Sequence, residues 1–326
     1  MQASFRVPAI AAFVTAFTLS LGAVIVQAAW PERPITIVVP TAPGGGNDAF
    51  ARVIAQKMGE SLKQSVVVVN KAGAQGAIGS EYVARAPADG YTILFGYIAT
   101  HGINPALQKL RYDPVKDFKP IGLLASSPTL LVVSSASGIT SVKDLIEKSK
   151  KDPKGLSYAS AGAGTAPHVT AELFKMVTGA NMLHVPYKGS APAMTDTLAG
   201  TTQVMFPSLF SAYPHLASGR IKALALAGDK RSDVLKDVPT LEELGVKGVS
   251  VPQWYALFAP AGTDDAIVDR LNKELNAALR DPEVIAKFKE AGADTKSSTP
   301  QELGEFVKAE VARWKKVVEA AHITTE

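Results

Sequence analysis

The chain has no cysteine in its 326 residues. That excludes disulfides, thiolate metal sites, a cysteine nucleophile and a lipid-bearing N-terminal cysteine. It also lacks an excess of one charge: 34 basic residues face 30 acidic ones, for a net +4. No run of Lys and Arg is aligned with aromatics, so nucleic acid is a poor partner. Five histidines, at positions 101, 168, 184, 215 and 322, show no HExxH or other metal spacing. Apolar residues are plentiful at 47%, and the length suits one large or two ordinary domains.

Long apolar runs are missing except near the start. Arg6 is the only charged side chain before Glu32, and VPAIAAFVTAFTLSLGAVIV follows it. Val26-Gln27-Ala28 then offers small residues where a signal peptidase reads, with cleavage after Ala28. The alternative is a transmembrane anchor, since the run is near spanning length. Pro8, Gly22 and the V-x-A ending favour a cleaved signal over residues 1–28 and hence an exported, soluble mature chain.

Beyond that segment, β-rich runs alternate with helical patterns. ITIVV (35–39), VVVV (66–69), TILF (92–95), TLLVV (129–133), LSYAS (156–160), MLHVPY (182–187), QVMF (203–206) and IKALALA (221–227) read as strands. Helical spacing recurs over 48–62, 76–86, 141–150, 168–179 and 189–199. The rhythm predicts an α/β fold whose parallel-rich sheets are covered on both faces, with ligands beyond the carboxyl ends of the strands. Towards the C-terminus, Thr263 is a candidate cap for a helix running to about Arg280. Thr299-Pro300-Gln301-Glu302 reads as a capping box.

Two glycine-rich corners stand out. PTAPGGGNDAF (40–50) joins a strand to a helix, and SAGAGTAPH (160–168) does the same in the second half. Neither is a nucleotide loop. No lysine follows the glycines as a P-loop requires, and the G-x-G-x-x-G spacing is absent from both and from GAQGAIG (73–79). Each corner aims backbone N–H groups and the positive end of a helix dipole outward, a pattern suited to an anion. With no Arg or Lys in either loop, the anion is held by amides and hydroxyls, Thr41, Ser160 and Thr165 being available. Hydrogen bonds to a charged oxygen contribute roughly 1.5–3 kcal/mol each. Four or five of them, less the ordering cost, reach about −8 kcal/mol, or micromolar affinity. The plain alternative is two tight turns that need glycine.

Asp48 would repel an anion and is expected instead to cap the following helix through its backbone amides. His168, at a helix start, is expected to be neutral and able to donate a hydrogen bond to a ligand. Tyr97 and His101, just past the strand TILF, are candidates for reaching into a cleft between lobes. Ser160 and His168 are a candidate hydrolytic pair, although a nucleophile elbow needs glycine where Tyr158 stands.

The wording of the chain resembles a known family. WPERPITIVVPTAPGGGNDAFAR, NKAGAQGAIGSEYVARAPADGYTILFG, YDPVKDFKPIGLLA, ASAGAGTAPHVTAELFK, HVPYKGSAPAMTDTLAG, DVPTLEEL and LFAPAGT run in order along nearly all of the mature sequence. Together they resemble the Bug family, the substrate-binding proteins of tripartite tricarboxylate transporters. The resemblance implies a type II periplasmic-binding-protein fold, with residues 29–130 plus 250–326 as lobe one, 131–249 as lobe two, and crossing strands between them. It implies no catalysis and no cofactor. A ligand carboxylate would lie between Pro43, Gly44, Gly45, Gly46, Asn47 and Asp48 on one side and Ser160, Ala161, Gly162, Ala163, Gly164, Thr165 and His168 on the other. Family ligands are small carboxylates. The implied partner is a membrane transporter with one large and one small integral subunit, served by a monomeric receptor; a sensor bound to the same ligand is the alternative.

One departure is informative. Family members often carry an acidic residue just after the strand that here reads VMFPSLF, where this chain has Pro207 and Ser208. A ligand ammonium would have no partner there, so an acid without a positive charge is expected. Tyr97, His101 and Phe206 are expected to flank a planar ring, which points to an aromatic dicarboxylate among the di- and tricarboxylates.

Overall fold

The computed structural model describes residues 1–2, 30–321 and 323–324. The expected signal segment falls almost wholly outside the described residues, as does His322. The chain divides into two units, Met1–Trp30 and Pro31–Glu326, and every described strand and helix lies in the second.

In chain order the elements are β1 (Ile35–Val39), α1 (Gly46–Leu62), β2 (Val66–Asn70), α2 (Ala77–Ala84), β3 (Thr92–Tyr97), α3 (Asn104–Leu107), β4 (Phe118–Ser127), β5 (Thr129–Ser134), α4 (Val142–Lys151) and β6 (Leu156–Ser160). They continue with α5 (Ala166–Thr178), β7 (Met182–Pro186), α6 (Ser190–Ala199), β8 (Val204–Met205), α7 (Leu209–Leu216), β9 (Ile221–Ala227), β10 (Gln253–Pro260), α8 (Asp265–Ala278), α9 (Pro282–Glu290), β11 (Asp294–Thr295) and α10 (Pro300–Ala320).

The strands form two sheets, ordered β11-β4-β10-β3-β1-β2 and β7-β6-β8-β5-β9. Apart from β11 the two share one plan. β1 lies parallel between β2 and β3, as β6 lies parallel between β7 and β8. An antiparallel strand then closes on each, β10 on β3 and β5 on β8. Central strands are buried on both faces and read as unbroken apolar runs, β5 being buried throughout. The edge strand β2 instead alternates, with Val67 and Val69 exposed.

The closing strands lie where the chain crosses between the sheets. β4 ends at Ser127 and β5 starts at Thr129, so Pro128 alone separates a strand of one sheet from a strand of the other. Proline has no N–H to donate to a ladder, which ends pairing at that point. The return crossing runs from β9 through 228–252 into β10. Of the strands at the crossings, β5 and β9 were read as strands in the sequence and β4 and β10 were not. β4 interrupts its apolar residues with Lys119, Pro120 and Gly122, and its pairing with β10 shifts register twice. At the C-terminus the capping box on Thr299 and Glu302 forms. The cap of α8 is Asp264, which accepts from the Ala266 amide at 2.8 Å, rather than Thr263, whose hydroxyl bonds the Pro260 carbonyl.

Gly96 shows how tightly β3 is covered. A Cβ there would fall 2.5 Å from the Phe258 ring and 3.1 Å from the His101 ring. Those two rings stack with centroids 4.0 Å apart. Gly96→Ala should therefore destabilise the protein by about 1–3 kcal/mol through overpacking. In urea unfolding followed by circular dichroism, Gly96→Ala combined with Phe258→Leu should cost less than the sum of the two single changes, because one relieves the clash of the other.

Candidate functional site

Both glycine corners sit at the carboxyl ends of the central parallel strands, β1 and β6, and open the helices α1 and α5. In the first corner Gly44 has φ +83° with open space around a Cβ, so glycine serves the backbone conformation there. Asp48 is buried and closes the loop from inside. One carboxylate oxygen accepts from the Gly44 amide at 3.0 Å and from Arg52 Nε at 3.0 Å. The other accepts from Asn70 Nδ2 at 3.0 Å and lies 3.0 Å from Arg52 Nη2. Burial alone would raise its pKa, but these hydrogen bonds and the guanidinium outweigh it and hold the carboxyl below its ordinary range. The expected cap of its own helix is thus corrected: Asp48 binds the amide before the helix, and the N-cap Gly45 carries no side-chain cap. The first-turn amides of Gly46, Asn47 and Asp48 have no acceptor among the described residues. Pro43 and Gly45 are exposed beside them, and the buried Thr41 hydroxyl also lacks a partner among the described residues.

The second corner is braced by histidines. Ser160 Oγ lies 2.6 Å from His184 Nε2 and accepts from the Gly162 amide at 3.1 Å. The Gly164 amide donates to His168 Nδ1 at 3.1 Å, which leaves the proton of the neutral ring on Nε2. The Thr165 hydroxyl donates to the Gly162 carbonyl at 2.6 Å. The amides of Ala161, Ala163, Ala166 and His168 find no acceptor among the described residues, and Pro167 has none to offer. His184 stacks between Tyr158 and His168, at 4.9 and 4.2 Å. Burial, and then the neighbouring His168, push His184 down to about 4; burial also lowers His168.

Several expected residues lie elsewhere. Ser160 is fully buried and bonds His184, so the Ser160–His168 pair does not form. His101 is fully buried against Phe258, with Nδ1 on Thr100 Oγ1 at 2.9 Å, and does not reach a cleft. Phe206 is fully buried against Phe174, because its strand faces the core of the five-stranded sheet. Tyr97 is part-exposed and donates its hydroxyl to the Gln75 carbonyl at 3.1 Å. Pro207 is buried, its carbonyl accepting from the Leu130 amide, while Ser208 caps α7.

One residue that sequence reasoning passed over is Phe210, at the start of α7. A Cβ on Gly46 would meet its ring at 2.9 Å, and the ring lies 5.3 Å from that of Phe50. α7 packs on β5 and β9, so an aromatic ring from the five-stranded half covers the first residue of α1. Only glycine leaves room for it. The second phenylalanine of FPSLF was the available signal.

Two lobes of equivalent plan, each offering unsatisfied helix-start amides, have the plan of a solute-binding protein. Comparison places it more closely. Residues 50–323 match the tripartite tricarboxylate transporter family receptor, TctC. Protein BugT of Bordetella pertussis is 35% identical over 92% of this chain and 93% of its own length. Among solved structures, R. palustris Rpa4515 with adipate is 39% identical with a TM-score of 0.87, covering 91% of this chain and 99% of that one. MatC from Rhodopseudomonas palustris with bound malate is 34% identical with a TM-score of 0.83, covering 89% and 100%. The chain belongs to the Bug family of tripartite tricarboxylate transporter receptors.

The histidines make stability depend on pH. Burial lowers His101 to about 3 and His184 to about 4, with His168 shifted the same way. The unfolded chain takes up these protons first, near pH 6.5, so their contribution is complete above that pH and is lost as pH falls towards 4. Three such groups give a slope of at most about 4 kcal/mol per pH unit. Urea midpoints should fall steadily from pH 7 to pH 5, and His184→Gln should reduce the slope by about one proton.

Proposed function

We propose that the protein is an exported, periplasmic receptor that captures a small aliphatic dicarboxylate between its two glycine corners and presents it to a membrane transporter. Residues 1–28 are its cleaved signal, residues 29–130 with 250–326 its first lobe, and 131–249 its second. The observation that carries this reading is the matched pair of open amide sets. Gly46, Asn47 and Asp48 begin α1, and Ala161, Ala163, Ala166 and His168 lead into α5, in equivalent places of two sheets of one plan. Helix-start amides favour a carboxylate without a basic side chain. A ligand that touches both sets prefers the closed arrangement of the lobes and draws the equilibrium towards it.

The adipate bound by Rpa4515 and the malate bound by MatC are both dicarboxylates, which supports that class here. The aromatic alternative loses two of its three flanking rings, because His101 and Phe206 are core residues. Pro207 and Ser208 supply no carboxylate for a ligand ammonium, which favours a diacid over an acidic amino acid. A receptor that hands the ligand to a sensor has the same cleft; deleting the gene and measuring uptake apart from induction separates the two.

Calorimetry with adipate, malate and aspartate tests the reading. A diacid should bind more tightly than aspartate. Gly45→Val, at an exposed position with only the Ala42 carbonyl near a Cβ, should leave the fold intact. It and Thr165→Val should each weaken diacid binding at least tenfold. Wild-type affinity in both folded variants would remove the site from these loops.

A further inference from the structure

A second cavity, distinct from the glycine corners, lies where the chain crosses between the sheets. It has a volume of about 430 Å³, within the range of small-molecule sites. Pro128 and Pro252 mark the two crossings in its wall. Leu123, Trp254 and Phe306 supply an apolar side from the six-stranded half, Trp254 and Phe306 meeting edge to face at 5.1 Å. The indole N–H is turned to Glu310 at 2.7 Å. The segment Gly228–Val234, which follows β9 of the five-stranded sheet, forms the facing wall.

The charged rim is unevenly paired. Arg231 is bound to Glu243, Asp229 accepts from the Ser250 hydroxyl, and Lys230 reaches Asp294 at 3.7 Å from one half to the other. Lys289 and Lys296 have no acidic partner among the described residues, and Asp229 and Asp233 have no basic one there, Asp229 being held by the Ser250 hydroxyl. Four cations (Lys230, Arg231, Lys289 and Lys296) against three carboxylates (Asp229, Asp233 and Asp294) leave the rim one positive charge in excess, which suits a flat apolar body with a single negative group.

We propose that this cavity binds an aromatic monocarboxylate of one or two rings, with the ring against Trp254 and Phe306 and the carboxylate at Lys289 and Lys296. Its walls belong to both halves, so a change in the angle between them changes the cavity. An occupant therefore couples to closure around the main ligand, and by linkage each ligand alters the affinity of the other by the same factor.

The fluorescent aromatic anion 8-anilinonaphthalene-1-sulfonate is a direct probe. It should bind the whole protein with a stoichiometry of one and be displaced by 1-naphthoate. Ser232→Trp, which fills the cavity from a surface loop, should abolish the signal. Lys289→Ala with Lys296→Ala should weaken it at least tenfold, with unchanged circular dichroism in each variant. Saturating adipate should shift the probe's affinity at least threefold. An unaltered signal in both folded variants, or no displacement by naphthoate, overturns the site. Adipate that binds without shifting the probe overturns the coupling. If adipate does not bind at all, the dicarboxylate reading fails instead, while the variants still decide the cavity.

Discussion

An α-helix leaves the amides of its first turn without partners inside the helix, and the rest of this structure is arranged around two such turns. In the first corner the hazard to the proposed anion site is the charge of Asp48. Arg52 and Asn70 take that charge, and Gly44 ties the carboxylate to the loop ahead of the helix. In the second corner the same job falls to neutral groups, with Ser160 and His168 each holding one glycine amide. Both solutions tie glycine amides ahead of the helix, Gly44 in one corner and Gly162 and Gly164 in the other, and leave amides of the first helical turn free. The loops are held by what lies behind them, not by the glycines themselves.

The common plan of the two sheets explains why the corners occur as a pair. Each half is a parallel triplet closed by an antiparallel strand that lies next to a crossing between the halves, β10 after the return and β5 after Pro128. The crossing at Pro128 and the return into β10 make the halves dependent on one another while keeping the connections few. Phe210 adds a contact away from those crossings, laying a ring from one half over the first residue of the helix of the other.

Much of this was legible in the sequence, for physical reasons that can be named. Central strands such as ITIVV and TLLVV are apolar on both faces and announce themselves. The glycine corners were readable because proline, glycine and an apolar strand end coincide. Strand β4 was obscured by the lysine, proline and glycine within it, and the pairing of β4 and β10 joins residues more than a hundred positions apart. Single side chains were the least legible. The placement of His101 depends on a stack with Phe258, and that of Ser160 on His184, neither of which is visible from neighbours in sequence. A residue just beyond a strand can turn outward or fold back into the core, and local pattern does not distinguish the two.

The histidine brace bears on unloading as well as on loading. Tyr158, His184 and His168 form a stack with no net charge near neutrality, and the amides before α5 are dipoles, not ions. On the proposed reading, when an acid departs from such a seat, water takes its place amide by amide. No bare cation is stranded in a dry crevice, as it would be had the acid been gripped by an ammonium or guanidinium. A carrier built this way surrenders its passenger without a large electrostatic debt on either side of the exchange.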